Sequence, residues 1–385
     1  MTHRPTSEQE LADIITAARG PLSIKGGGTR PIGRPVSGEA LETGAISGVV
    51  DYEPGALTLV ARAGTPVSEI EALLDTENQM LAFEPMDHRT VLGTTGNPTL
   101  GGVAATNASG PRRFSVGAAR DFMLGVRYVD GAGQIVKNGG RVMKNVTGYD
   151  LVKLMAGSWG TLGVMTELSL KVLPKPEASA TLTFQGDQWQ DAMKRAVKSP
   201  YDVTGAAANP HDRTVHLRVE GFDAQVSYRA RQLTEMIGPL GDVSVETDAK
   251  KNAALWAGIR DVADLRDRPL VWRVAMAASD LTGAFAHALA QLAEVDLRYD
   301  LGGGLGWIGS TTDDPAALHS KLQQLAADPA ITGRHGGHVT LVKGPMDLRG
   351  SAPSFQPSAP AVAALMSGLR AKFDPSGILN PGLMT

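Results

Sequence analysis

Cysteine is absent from all 385 residues. Disulfides, thiolate-held metals, cysteinyl flavin links and cysteine-ligated iron–sulfur clusters are therefore excluded within this chain. Redox chemistry here would need an organic cofactor, with electrons leaving to a partner or a diffusible acceptor. Long apolar runs are also lacking, so no membrane-spanning helix is expected. The polar opening Met1–Gln9 has no signal-peptide core. Charge of one sign is lacking too: 37 Lys and Arg stand against 40 Asp and Glu, for a net charge of −3. That balance points to neither nucleic acid nor a membrane surface as partner. No GxxxxGK(S/T) phosphate loop occurs anywhere.

Glycine is what the chain has in excess. Of 45 glycines, 25 fall between Gly20 and Gly163. The bias suits a backbone-lined ligand cradle more than a packed helical domain. The first concentration is Lys25-Gly26-Gly27-Gly28-Thr29-Arg30, after the strand-like Pro21–Ile24. Consecutive glycines let successive backbone N–H groups converge on an anion, and Lys25 and Arg30 add positive charge. A flexible surface turn fits these six residues equally well. Pro31, Gly33 and Pro35 follow, so no helix starts here and the Rossmann arrangement is disfavoured.

A second concentration runs from Thr94 to Gly110 and is rich in small residues. Backbone could approach a flat ligand there, with Thr99, Thr106 and Ser109 as hydroxyl donors. Tight helix–sheet packing would select the same composition. The flanking pattern is mixed. An opening helix spans Thr6 to Ala18, capped by Thr6 with Gln9. Short strands are expected at 49–52 and 57–61, and a helix capped by Thr65 follows. A strand is expected over 120–129 and a boundary at Pro174–Pro176.

Four motifs in order, KGGGTR, TLGGVAATNASG, NVTGYDL and GSWGTLGVMTELSL, resemble the vanillyl-alcohol oxidase type FAD-binding family. The ending Phe373–Gly382 is similar to that of FAD-linked oxidases of 2-hydroxy acids. Overall length and the GGHVTL stretch are similar to those of the FAD-binding subunits of bacterial glycolate oxidases. The resemblance implies an α+β fold. An FAD-binding domain of two α+β subdomains would span 1–175, a cap with an antiparallel sheet 176–335, and 336–385 would return to the FAD domain.

The same resemblance implies the cofactor contacts. Lys25, Gly26, Gly27, Gly28 and Thr29 would hold the FAD pyrophosphate. Thr99, Leu100, Gly101, Gly102, Ala105, Ser109 and Gly110 would line pyrophosphate and flavin. Gly160, Gly163 and Val164 would offer backbone, Asn380 would approach the isoalloxazine, and Pro85 would lie beside it. Thr29 stands where histidyl-linked members carry His, so a non-covalent FAD is expected.

Three residues in the cap or near the tail are candidates for substrate chemistry. Arg260, in a Trp-x-x-x-Arg pattern, and Arg273 could each grip a carboxylate. A surface ion pair of Arg260 with Asp261 or Asp264 is the plainer alternative, and for Arg273 a solvent-facing position. His338 could accept the hydroxyl proton. The His-rich metal motif of catalytically complete relatives is absent, and no metal is expected. The expected activity is oxidation of glycolate or D-lactate within a glycolate oxidase complex that includes an iron–sulfur subunit. The location would be cytoplasmic, or membrane-associated through partners. The alternatives are a self-sufficient 2-hydroxy-acid dehydrogenase and a non-catalytic assembly subunit.

Overall fold

The computed structural model describes residues 1–141, 148–292, 294–333 and 335–385. Asn145 to Thr147, the start of the NVTGYDL motif quoted above, lie outside the described residues.

Three larger sheets and one two-stranded pairing organise the described residues. The N-terminal one is parallel: Glu39–Glu42 lies between Thr2–His3 and Leu22–Lys25. Helix Glu8–Ala17 covers it with Leu11, Ala12 and Ile15. Its cap is Ser7, not Thr6. The Ser7 hydroxyl accepts the Glu10 N–H at 3.1 Å, so the cap sits one residue later than expected, and the Glu10 carboxylate accepts the Thr6 N–H at 2.8 Å. The second sheet is antiparallel, in the order Val49–Glu53, Thr58–Arg62, Val164–Lys171, Met123–Val129, Ile135–Gly139. The expected strand over 120–129 begins only at Met123, because Ala119–Phe122 forms a helical turn closed by Asp121 on the Ala118 N–H. Thr65 caps no helix. Its hydroxyl donates to the Arg62 carbonyl at 2.7 Å and accepts the Gly48 N–H, which ties two strands together instead.

The third sheet has eight antiparallel strands, from Ala178–Gln185 through His338–Lys343. Strand periodicity gives it two unlike faces. Leu270, Trp272 and Val274 point one way, into a core shared with Leu182, Leu217, Leu233 and Leu322. Val271, Arg273 and Ala275 point the other way, toward the glycine-rich part of the chain. The edge strand His338–Lys343 buries Val339 and Leu341 in the same helical core, so the sheet runs past the boundary expected at 335. The last residues do return to the N-terminal part: Ile378 and Leu379 pack with Leu11 and Leu22. Before them, helix Pro360–Phe373 contributes no buried residue, and Val362, Leu365 and Leu369 are exposed along it.

The polar face of the large sheet is joined to the N-terminal part in two ways. Ile32, Met86 and Val91 pack with Val262, Leu265, Val271 and Trp307. Beside that core lies a buried ion network. Glu84 accepts two hydrogen bonds from Arg218 at 2.8 and 2.9 Å and one from the Arg112 N–H at 2.8 Å. Arg112 in turn donates to Glu220 at 2.7 Å, and Thr204 donates to the other Glu220 oxygen. Burial opposes ionisation of Glu84, but Arg218 and Arg112 outweigh it and hold its carboxyl below the ordinary range. Arg218 also stacks on Trp256, 4.5 Å from the ring centre.

Removing one partner strands a buried charge, which typically costs about 3 kcal/mol or more. Glu84→Gln is expected to lower unfolding stability by roughly that amount, measured by urea denaturation. A loss under about 1 kcal/mol, the range of exposed pairs, would mean the network is not a clamp.

Candidate functional site

The two glycine-rich stretches touch each other. A Cβ on Gly27 would lie 1.6 Å from the Asn97 carbonyl oxygen, and one on Gly26 would lie 2.5 Å from the Thr99 hydroxyl. Gly96, at φ +98°, returns the contact to the Gly27 carbonyl. These glycines are required first for backbone-to-backbone packing. That packing has a consequence for the ligand. Among the described residues, the N–H groups of Gly26, Gly27, Gly28 and Thr29 donate no hydrogen bond. They line a cleft of about 460 Å³ whose walls also carry Lys25, Arg30, Arg34 and Arg349. The Arg34 Nε is buried there without a partner. A run of free amides and a set of cations in a chain of net negative charge form a site for a diphosphate-sized anion.

Thirteen of the seventeen expected cofactor residues line this cleft: Lys25, Gly26, Gly27, Gly28, Thr29, Thr99, Gly101, Gly102, Ala105, Gly160, Gly163, Val164 and Asn380. The other four lie elsewhere. Leu100 is buried in the core between helix and sheet. The Ser109 hydroxyl accepts the Ala119 N–H at 2.9 Å and donates to the Asn107 carbonyl. Gly110 and Pro85 flank the buried ion network; a Cβ on Gly110 would lie 2.5 Å from the Glu84 carbonyl. Asn380 is buried, and both ends of its amide are engaged. Oδ1 accepts the Ile24 N–H at 2.8 Å, and Nδ2 donates to the Trp159 carbonyl at 2.9 Å. It thus fixes two cleft walls to each other, with the second Nδ2 hydrogen left over.

One end of the cleft turns toward the large sheet. The Arg30 Nε donates to His88 Nδ1 at 2.9 Å, and its Nη2 donates to the Met86 carbonyl at 3.0 Å. Burial, reinforced by Arg30, pushes the His88 imidazole down to about 3, so it is neutral at physiological pH with Nδ1 as acceptor. Burial lowers Arg30 to about 10, which leaves it charged.

The three candidates for substrate chemistry fare differently. Arg260 donates to both oxygens of Asp261 at 2.8 Å, and Asp261 also accepts the Asp87 N–H. Its guanidinium is therefore already occupied. His338 is exposed at the start of its strand, directly opposite Ala275. Arg273 is half-buried on the sheet face toward His88, opposite Trp307 and Thr340 in its neighbouring strands. It forms no hydrogen bond or ion pair among the described residues. Burial, with Arg113 nearby, lowers it to about 10. Asp300 lies buried in the next row of the same face, its Oδ1 accepting the Leu301 N–H at 2.7 Å. Burial pushes its carboxyl up to about 7.

Comparison with known proteins agrees with this architecture. A family model described as "FAD binding domain" matches residues 1–139. Glycolate oxidase subunit GlcE of Escherichia coli is 33% identical over 378 residues, covering 94% of this chain and 92% of the relative. The chain belongs to the FAD-linked oxidase family that includes GlcE. Its cofactor is FAD, and the free amides, the orphaned Arg34 Nε and the cationic walls fit that cofactor. Glycolate oxidase subunit GlcD of Bacillus subtilis is 25% identical over 99% of this chain and 87% of the relative. D-lactate dehydrogenase of Archaeoglobus fulgidus is 26% identical over 98% and 90%. A solved alkyldihydroxyacetonephosphate synthase superposes with a TM-score of 0.68 at 16% identity, covering 99% of this chain and 76% of its own. The fold is thus the vanillyl-alcohol oxidase type.

Four positions in and beside the cleft were not foreseen from sequence. Arg34 sits between prolines, His88 in an unremarked Met-Asp-His-Arg run, Arg113 beside a second arginine, and Asp300 before three glycines. The alternation of Arg298 and Asp300 with buried Tyr299 was the available signal for Asp300.

Two outcomes are expected. Gly27→Ala should abolish bound flavin, seen as loss of visible absorbance, and destabilise the chain by about 3 kcal/mol through overpacking. Gly55→Ala, where a Cβ meets nothing within 4 Å, should do neither. His88 sets an acid limb. The unfolded chain protonates it below its ordinary 6.5, and the folded chain only near 3, so stability should fall as pH drops through that window. Thermal melts of His88→Asn between those pH values should show a flatter limb than the parent.

Proposed function

We propose that this chain is the FAD-binding subunit of a glycolate oxidase complex, oxidising glycolate or D-lactate to the 2-oxo acid. The observation that carries the reading is the full-length similarity to glycolate oxidase subunit GlcE. When bound, FAD supplies the hydride acceptor. This chain's residues would do the rest. Lys25 to Thr29, with Arg34, hold the diphosphate. Asn380 and Trp159 keep the two walls of the cleft in register. Of the three candidates for substrate chemistry, Arg273 is the one with a free guanidinium facing the cofactor side, so it is the carboxylate anchor in this reading. Arg260 supports the loop at Asp87 through Asp261. His338, on the same sheet face as Arg273 and two residues further along the paired strand, is the proton acceptor. FAD is held non-covalently, since Thr29 offers no attachment point.

The absence of cysteine supports an electron-accepting partner, which would be an iron–sulfur subunit of the complex. The apolar stripe Val362, Leu365, Met366 and Leu369 on an otherwise uncovered helix supports association with such subunits. No helix among the described residues is long and apolar enough to cross a membrane. The reading places the chain in the cytoplasm, with partners providing any membrane attachment.

Anaerobic absorbance titration of the chain with glycolate and D-lactate, alone and with its partners, tests this. Flavin bleaching only in the assembled complex is the expected outcome. Bleaching of the isolated chain would favour a self-sufficient dehydrogenase, in keeping with its similarity to the D-lactate dehydrogenase. A colourless chain that still assembles would leave only a structural role.

A further inference from the structure

The loop that leaves the first glycine run has no regular structure, yet it delivers a cation into the cleft. It reads Pro31-Ile32-Gly33-Arg34-Pro35. Arg34 lines the cleft, and its Nε is buried without a partner. The cleft walls carry four cations and no carboxylate, so no acid of the chain neutralises Arg34 there. The direction of its side chain depends on the peptide unit before it, between Gly33 and Arg34. That one peptide is gripped on both edges. Its N–H, from Arg34, donates to the Leu383 carbonyl at 3.0 Å. Its carbonyl, from Gly33, accepts two hydrogen bonds from Arg349, at 3.3 Å from Nε and 2.9 Å from Nη2. The two polar groups of a trans peptide point in opposite directions, so these bonds fix its plane from opposite sides. Gly33 lies at φ +94°, and a Cβ there would sit 2.6 Å from the Leu383 carbonyl oxygen, so the tail passes directly against the loop.

Arg349 comes from another part of the chain. It sits in helix Met346–Ser351, just after the edge strand of the large sheet. Leu348 beside it is buried in the core of that sheet. The residues that follow are tied down on the same side: the Leu341 N–H donates to the Ser354 carbonyl at 2.7 Å, and Gln323 donates to the carbonyls of Pro353 and Phe355. Phe355 packs edge-on against Trp159, with ring centres 5.2 Å apart, and Trp159 is another wall of the cleft. Segment 346–355 thus reaches back from the large sheet and touches the cleft at two walls. We propose that Arg349 is a positioning residue for the cofactor: by holding the Gly33 carbonyl it aims Arg34 at the diphosphate of FAD. The buried Nε of Arg34 then meets its missing acceptor in that anion. Without Arg349 the peptide keeps only its bond to Leu383 and pivots about it, and Arg34 swings away from the cleft. Cofactor retention is thereby linked to the large sheet, because the anchoring guanidinium belongs to a helix docked on it.

This inference rests on the proposed role of Arg34 at the diphosphate, and not on which acid is oxidised. The rate of FAD release from the flavin-loaded chain, followed by flavin fluorescence after dilution, tests it without turnover. Arg34→Gln is expected to speed release about tenfold, the loss of one charge-assisted hydrogen bond. Arg349→Met should speed it by a similar factor. The double variant should release FAD no faster than Arg34→Gln alone, because both changes remove the same interaction. Arg349→Lys, which keeps the charge and one donor for the Gly33 carbonyl but loses the fork, should recover part of the loss. Release that is unchanged in Arg349→Met overturns the positioning role. So does a double variant whose effect is the full product of the two single ones, which would make Arg349 an independent contact or a general support of the fold. Release that is unchanged in Arg34→Gln overturns the proposed role of Arg34 and the inference with it, whereas the first two results leave that role standing.

Discussion

The bidentate pairing of Glu84 with Arg218 is the constraint on which the rest depends. Glu84 lies at φ +48°, a left-handed conformation that a non-glycine residue adopts only when held there. Arg218 and the Arg112 N–H do the holding. The loop that follows, Pro85 to Arg89, carries His88 against Arg30 on one side and Asp87 against Asp261 on the other. One ion pair thus sets the position of the cleft's inner end relative to the sheet.

The glycine-rich stretches illustrate how packing and binding share residues. Gly26, Gly27 and Gly96 are needed because two backbones cross at contact distance. That crossing keeps the first loop from folding onto itself, so its amides face outward into the cleft. A side chain at Gly27 would remove both properties at once.

Much of this was legible in the sequence, and the reasons differ by element. The glycine loops, the cleft residues they supply and the return of the tail were readable because each rests on local composition or on a motif. Helix Glu8–Ala17 was readable from its apolar spacing, though its cap is Ser7, with Thr6 bonded to the Glu10 carboxylate instead. The turn Ala119–Phe122 was hidden because its apolar residues fit a strand equally well. The extra edge strand at 338–343 was hidden because its pairing partner lies more than sixty residues earlier, beside Val271 to Ala275. The charged seam was illegible for the same reason. Nothing local joins Glu84 to Arg218, and only the folded sheet brings them together.

Asn380 bonds to the Ile24 N–H and the Trp159 carbonyl, so one wall of the cleft is sewn shut across 356 residues of sequence. A nascent chain that has exposed both glycine loops still lacks that stitch. The cleft therefore acquires its final walls late in synthesis, after the large sheet has had time to form. A chain without Asn380 would keep the buried contacts of the large sheet and lose the stitch between the two walls.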